Sequence, residues 1–192
     1  MAAGQAGDAR SQRERMLAGD LYIADDPELI QESLQAQTLL KAFNDSSPEP
    51  EGRRRLLLDL LGSLGEGTEI RPPLYCDYGT NLHIGARTFV NFGLVALDVA
   101  QIRIGDDVQI GPRVQLLTPT HPLEPALRRA KWEAAEPIAI GDIVWLGGGV
   151  VVCPGVTIGA DTVVGAGAVV TRDLPPRVLA VGSPARVVRN LD

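Results

Sequence analysis

Aromatic residues make up only 4% of the 192 positions. The core must therefore be aliphatic, and apolar residues, at 45%, are numerous enough to supply one. Histidine occurs twice, as His83 and His121, too few to complete a three-histidine zinc centre. Cysteine also occurs twice, as Cys76 and Cys153, far apart and in no metal-ligand spacing. That excludes a disulfide scaffold and the usual zinc motifs, and both thiols read as small buried residues in a reducing compartment. Positive charge is in deficit: Lys plus Arg total 18 against 24 acidic residues, a net charge of −6. This excludes a general binder of nucleic acid or of membrane surfaces, so any site for an anion has to be local. No apolar window is long enough for a membrane span, and residues 1–15 lack the apolar run of a signal peptide. The expectation is a soluble cytoplasmic protein with no metal.

Glycine, at 21, and proline, at 14, are plentiful, and they fall into a period of six. Residues 140–175 read as Ile140-Gly-Asp-Ile-Val-Trp, Leu146-Gly-Gly-Gly-Val-Val, Val152-Cys-Pro-Gly-Val-Thr, Ile158-Gly-Ala-Asp-Thr-Val, Val164-Gly-Ala-Gly-Ala-Val and Val170-Thr-Arg-Asp-Leu-Pro. An aliphatic residue opens every block, and a small residue follows it. Neither helical nor strand periodicity describes this pattern, whereas a hexapeptide parallel β-helix does. The opening aliphatic points inward and stacks on its equivalents in neighbouring coils. The glycine beside it is expected to supply backbone angles closed to other residues.

Upstream, residues 1–10 read as a disordered tail and residues 11–61 as a small helical cap. Ser11 and Glu14 form a capping box for a first short helix, ended at Gly19. Asp26-Pro27-Glu28 starts a second helix whose apolar positions are Leu29, Ile30, Leu34, Leu39, Leu40 and Phe43. A third spans roughly residues 51–61, and residues 62–67 form a turn. The cap is too small to be stable alone and is expected to cover the open edge of the solenoid. The solenoid itself is expected over residues 68–190. Its register slips by two near residues 97–101, read as a bulged corner, and it recovers at Ile104. Residues 118–137 break the repeat and leave as an excursion, and a loop of that length in a compact domain is either functional or disordered.

His121 stands at the root of that excursion, between Thr120 and Pro122, and is a candidate general base. His83 lies inside a repeat and reads as a structural strand residue. Cys153 occupies a repeat position and makes a poor nucleophile. Trp145 reads as a packing residue at a coil or subunit surface.

Longer stretches carry a family resemblance. Tyr75-Cys-Asp-Tyr-Gly, Asn91-Phe, Thr118-Pro-Thr-His-Pro, Val144-Trp-Leu-Gly-Gly, Pro154-Gly-Val-Thr-Ile-Gly, Gly182-Ser-Pro-Ala-Arg and Met16-Leu-Ala-Gly-Asp-Leu-Tyr resemble the sugar O-acetyltransferases of the hexapeptide-repeat family. The likeness spans about residues 13–190, and the Trp145 and His121 motifs lean toward the maltose rather than the galactoside enzymes. It implies a mainly β fold, a left-handed parallel β-helix with a small helical cap and an extended loop. It also implies a homotrimer with sites between subunits, acetyl-CoA as co-substrate and a sugar acceptor.

By position, the resemblance makes His121 the base that takes a proton from a sugar hydroxyl, which attacks the thioester directly. Gly148 and Ala166 match donor-contacting backbone, and Thr171, Arg172, Arg186 and Arg189 match residues holding the pantetheine and nucleotide end. Asp77 and Asn91 match acceptor positions, and Glu133 is a weaker candidate for aligning the acceptor or the histidine. Two departures lie in the cap. Relatives carry arginines where this chain has Gln31-Glu-Ser-Leu-Gln-Ala-Gln37, and the acidic position of the galactoside enzymes falls on Ala24. Both bear on which sugar is used. A same-fold acyltransferase with a non-sugar acceptor such as an amino acid or antibiotic, and a non-enzymatic solenoid module, remain alternatives at this point.

Overall fold

A computed structural model describes residues 9–192, so the first part of the expected tail, residues 1–8, lies outside the described residues. Arg10, at the end of that tail, pairs with Asp20 at 2.8 Å. Three helices follow: α1, Gln12–Leu17; α2, Pro27–Asn44; and α3, Pro50–Leu60. The Ser11 hydroxyl accepts from the Glu14 N–H while the Glu14 carboxylate accepts from the Ser11 N–H, which fixes the start of α1. Asp26 caps α2 ahead of Pro27. Of the apolar positions on α2, Leu29, Leu40 and Phe43 are buried, whereas Ile30 and Leu34 stay exposed.

From Ser63 onward the chain winds through three sheets, each one face of a prism. The first face holds Ser63–Leu64, Leu82–Ile84, Ile102–Ile104, Ile138–Ile140 and Thr157–Ile158; the third runs from Leu74–Cys76 to Val169–Val170. The second face has seven strands, the last of them, Arg186–Asn190, antiparallel, so the parallel solenoid has six coils. Solenoid pairing thus begins at Ser63, inside the stretch expected to be only a turn. Three corners join the faces. The first corner leads from first to second face, the second from second to third, and the third on to the next coil.

Later coils step by 18 residues: Ala139 pairs with Thr157, Trp145 with Val163 and Val151 with Val169. The opening aliphatics Leu146, Val152, Ile158, Val164 and Val170 are all fully buried, as the period of six requires. Where a glycine follows the opening aliphatic, its reason differs from the one expected. Gly141 does not have a positive φ; a Cβ there would stand 2.6 Å from the Ala160 N of the next coil. Close approach of stacked backbones excludes a side chain. The left-handed backbone angle falls two residues later, on Asp107, Ile143 and Asp161.

The cap and solenoid share one core that runs from Ala36, Leu40 and Phe43 through Leu57 and Leu60 into the coils. Asn44, at the end of α2, donates to the Leu74 carbonyl at 2.9 Å and accepts from the Leu74 N–H at 2.8 Å. Its side-chain amide occupies the edge where a further strand would pair, which blunts the open end. No helix among the described residues is long and apolar enough to cross a membrane.

Val164 sits between Leu146 and Ala180 on the second face with no exposed surface. Val164→Asp is expected to yield no cooperatively melting protein, because an unpaired buried carboxylate costs several kcal/mol or more. Val163→Thr, at the neighbouring outward position, is expected to melt close to wild type. Circular dichroism melts of both variants check the register.

Candidate active site

The third corner is where the early coils differ from the later ones. His83 pairs with Arg103 and Val95 with Gln115, a step of 20 residues rather than 18. The two extra residues behind the slip near residues 97–101 lie here. They are held by Asp98, which is fully buried and accepts the N–H groups of Asp77 at 3.0 Å, Tyr78 at 2.9 Å and Asn81 at 3.2 Å. Burial raises the Asp98 pKa, and the backbone donors offset part of that rise. One coil on, Thr118 takes the equivalent place, donating to the Leu97 carbonyl at 2.6 Å and accepting from the Ala100 N–H at 3.0 Å.

At Thr118 the corner opens into the excursion, which is ordered. Pro119–Thr120 pairs antiparallel with Trp132–Ala135, and a short helix, α4, Pro125–Arg129, closes the hairpin. The other edge of Trp132–Ala135 pairs with Tyr22–Ile23 of the cap, and Lys131 forms an ion pair with Asp25. Cap and excursion thereby make one small sheet over the third corner. Beneath it, Met16, Tyr22, Leu29, Tyr78, Val99, Ala100 and Ala135 form a second apolar cluster.

A cavity of about 360 Å³ lies beside this cluster. The cap contributes Tyr22, Ala24, Ile30, Ser33, Leu34 and Gln37, the corners contribute Asp77, Tyr78 and Val99, and the hairpin contributes Glu133. Ala24 and, from the 31–37 stretch, Ser33, Leu34 and Gln37 therefore face the same cavity. Burial, then the nearby Asp98 and Glu133 carboxylates, push Asp77 up to about 6. Burial and the Asp77 charge push Tyr78 up to about 12. The Tyr22 hydroxyl donates to Glu133 at 3.1 Å, and burial with that carboxylate raises it strongly. Burial, with Asp98 and Asp77, also raises the Cys76 thiol well above its ordinary range, which removes it as a nucleophile.

The sequence-predicted residues divide between two corners. Asp77, His121, Thr171 and Arg172 belong to the third corner or its excursion, whereas Asn91, Gly148 and Ala166 belong to the second. His121 follows Pro119–Thr120, is exposed, and does not line the cavity. Asn91 accepts from the Phe92 N–H at 2.8 Å. Gly149 donates to the Pro112 carbonyl at 2.8 Å and Gly167 to that of Gly148 at 2.9 Å, so the second corner is a column of tightly stacked backbone. The space where a Cβ would stand on Gly149 or Gly167 is open. Arg186 and Arg189 lie on the exposed last strand; neither they nor Arg172 form an ion pair among the described residues. Of the two corner columns, only the third adjoins the cavity.

His83 sits in its strand with Nδ1 3.2 Å from the Ser63 hydroxyl, and Cys153 is half-buried against the core. Trp145 is exposed on the second face between Gln109 and Val163. Tyr22, Tyr78, Val99 and Asp98 were not singled out from sequence; the register slip at residues 97–101 was the signal that could have drawn attention to this corner. A further cavity, of about 410 Å³, lies between α3 and the first coil and holds none of the predicted site residues. No group of three or more His, Cys, Asp or Glu among the described residues is arranged to hold a metal ion.

Comparison with known proteins gives the same reading at both ends of the chain. Residues 15–65 match the maltose acetyltransferase hexapeptide capping motif, and residues 137–172 match the bacterial transferase hexapeptide, six repeats. Nodulation protein L of Rhizobium meliloti strain 1021 is 49% identical over 179 residues, covering 93% of this chain and 98% of that one. The crystal structure of a maltose O-acetyltransferase from Clostridium difficile 630 superposes with a TM-score of 0.95 at 42% identity, covering 96% and 100%. Galactoside acetyltransferase in complex with coenzyme A superposes at 0.92 with 41% identity, covering 95% and 92%.

The raised Asp77 pKa has a consequence for stability. A carboxyl that holds its proton more tightly folded than unfolded weakens the native state as pH rises through about 6. Asp77→Asn should therefore melt like wild type near pH 3.5 and be more stable at pH 8, by up to about 3 kcal/mol. Paired thermal melts at the two pH values check this, and an equal difference at both would contradict it.

Proposed function

Because the chain belongs to the hexapeptide-repeat sugar O-acetyltransferases, and so is an acetyl-CoA-dependent O-acetyltransferase, we propose that its acceptor is a saccharide hydroxyl of the maltose or glucose type. One observation carries this reading. A cavity beside the His121-bearing excursion is roofed by the cap that matches the maltose acetyltransferase capping motif and is lined with carboxylates and phenols suited to hydroxyl groups.

The reaction runs in a ternary complex. A sugar hydroxyl is a poor nucleophile because its pKa lies far above neutrality, so a base must take its proton as the new bond forms. His121 takes that proton, the hydroxyl oxygen attacks the thioester carbonyl carbon, and the C–O bond forms as the C–S bond breaks. The imidazolium then returns the proton to the departing sulfur, releasing coenzyme A as its thiol. The Gly148 backbone N–H stabilises the oxyanion, since those of Gly147 and Gly149 are given to the Val164 and Pro112 carbonyls. No acyl-enzyme is involved, in keeping with the buried, high-pKa Cys76.

Gly148 and Ala166 follow the pantetheine arm, while Thr171, Arg172, Arg186 and Arg189 hold the nucleotide end. Arginine suits that task through charge and fork geometry. Asp77 and Asn91 hold acceptor hydroxyls. These assignments need two corners to meet, yet the third face keeps them apart: its strand Leu94–Leu97 alone spans about 13 Å. The second corner of one copy must then face the third corner of the next. A three-cornered prism repeating that contact closes as a homotrimer. A cytoplasmic location suits an acetyl-CoA-dependent reaction.

Thiol release from acetyl-CoA with glucose and maltose tests the acceptor class. His121→Ala should lower kcat by roughly 10²–10⁴ while leaving acetyl-CoA affinity near wild type. Near-normal turnover would move the base elsewhere. Replacing Arg172, Arg186 and Arg189 with Ala should raise the KM for acetyl-CoA far more than that for acetyl-pantetheine, and equal effects would make them solvated surface charge.

A further inference from the structure

The acceptor cavity has an uneven charge balance. Asp77 and Glu133 both line it, and no Lys, Arg or His does. The Asp77 side chain makes no hydrogen bond or ion pair among the described residues, and Glu133 has only the Tyr22 hydroxyl. The cations of the cap and hairpin are engaged or stand off the cavity. Arg13 pairs with Glu32 at 2.7 Å, Lys131 pairs with Asp25, and Arg15 is buried without lining the cavity. The cap helix presents Ser33, Leu34 and Gln37 where a basic side chain would balance the carboxylates.

Resting on the saccharide reading above, we infer that the acceptor is an amino sugar, bound as its ammonium form by Asp77 together with Glu133. An ammonium supplies the donors and the charge that both carboxylates lack, and a charge-assisted hydrogen bond is about twice as strong as a neutral one. A neutral sugar leaves the two carboxylates repelling each other, which is part of why Asp77 is held up at about 6. The groups facing Asp77 are Asp98 and Tyr78 from the coils, Tyr22 from the cap, and Glu133 from the hairpin; none of these is basic.

Binding as ammonium also determines which atom reacts. A protonated amine has no free electron pair, so it cannot attack the thioester, and the hydroxyl presented to His121 remains the nucleophile. The product is an O-acetyl ester with its amine intact. The acetyl group leaves sulfur for oxygen, and the hydroxyl proton ends on the coenzyme A thiol.

The test measures kcat/KM for glucosamine, glucose and N-acetylglucosamine with the full-length protein and acetyl-CoA at pH 7, with products identified by mass and by alkaline lability of the ester. Glucosamine should be preferred over both neutral sugars by about tenfold or more. The preference should shrink as the amine deprotonates at high pH, and also below about pH 6 as Asp77 takes up its proton. Asp77→Asn and Glu133→Gln should each pull the glucosamine-to-glucose ratio toward one. Equal use of glucose and glucosamine by the wild type overturns the inference and leaves the saccharide reading standing. An N-acetylated product overturns it too, since it requires the free amine. Thiol release with none of the three sugars removes both readings.

Discussion

The structure depends on the stack of inward aliphatic side chains repeated at a constant step. Each buried Val, Leu or Ile contributes about 2 kcal/mol of burial. More importantly, each sits directly above its equivalent, as Leu146, Val164 and Ala180 do. A one-residue slip would turn every side chain to the wrong face. Insertions are therefore tolerated only at corners, and the third corner takes all of them: the two extra residues of the early coils and the whole excursion of residues 118–137. The cavity lined by Asp77, Tyr78 and Glu133 lies at that corner.

Keeping that corner in place requires burying a charge-bearing group. Asp98 surrenders its hydration to organise the N–H groups of Asp77, Tyr78 and Asn81. The result is a second carboxylate, Asp77, brought close to Asp98 and Glu133 in a partly desolvated cavity. The same backbone geometry that lengthens the corner thus builds its electrostatics. Tyr22 and Glu133 join cap to hairpin across the cavity, so its wall is assembled from three separate parts of the chain.

The solenoid was legible because its signal is a strict repeat, one that local sequence displays residue by residue. Helix starts at Ser11 and Asp26 were legible for the same reason, since capping is local chemistry. The role of the repeat glycines is not legible locally: Gly141 is required by the neighbouring coil and not by its own φ, a contact that spans 19 residues of sequence to Ala160. The break in the repeat marks the excursion as an insertion, but nothing in it marks the pairing with Tyr22–Ile23. That pairing joins Tyr22 to Glu133 across more than a hundred residues, with no motif to announce it. Ile30 and Leu34 looked like core positions on α2 and instead stand exposed at the cavity. Helical spacing identifies an apolar face; it does not say whether that face meets protein or ligand.

In the proposed reaction the reacting groups sit on two corners that a single chain holds apart, so that a complete site would form between neighbouring copies. Refolding together His121→Ala, altered at the third corner, and Asn91→Trp, altered at the second, tests this most directly. Each variant alone is expected to be inactive. In a mixed trimer, about one interface in four pairs an intact third corner with an intact second corner, so roughly a quarter of wild-type acetyl transfer should return. A mixture as inactive as its components would contradict the account, because it would mean that each site lies within one chain.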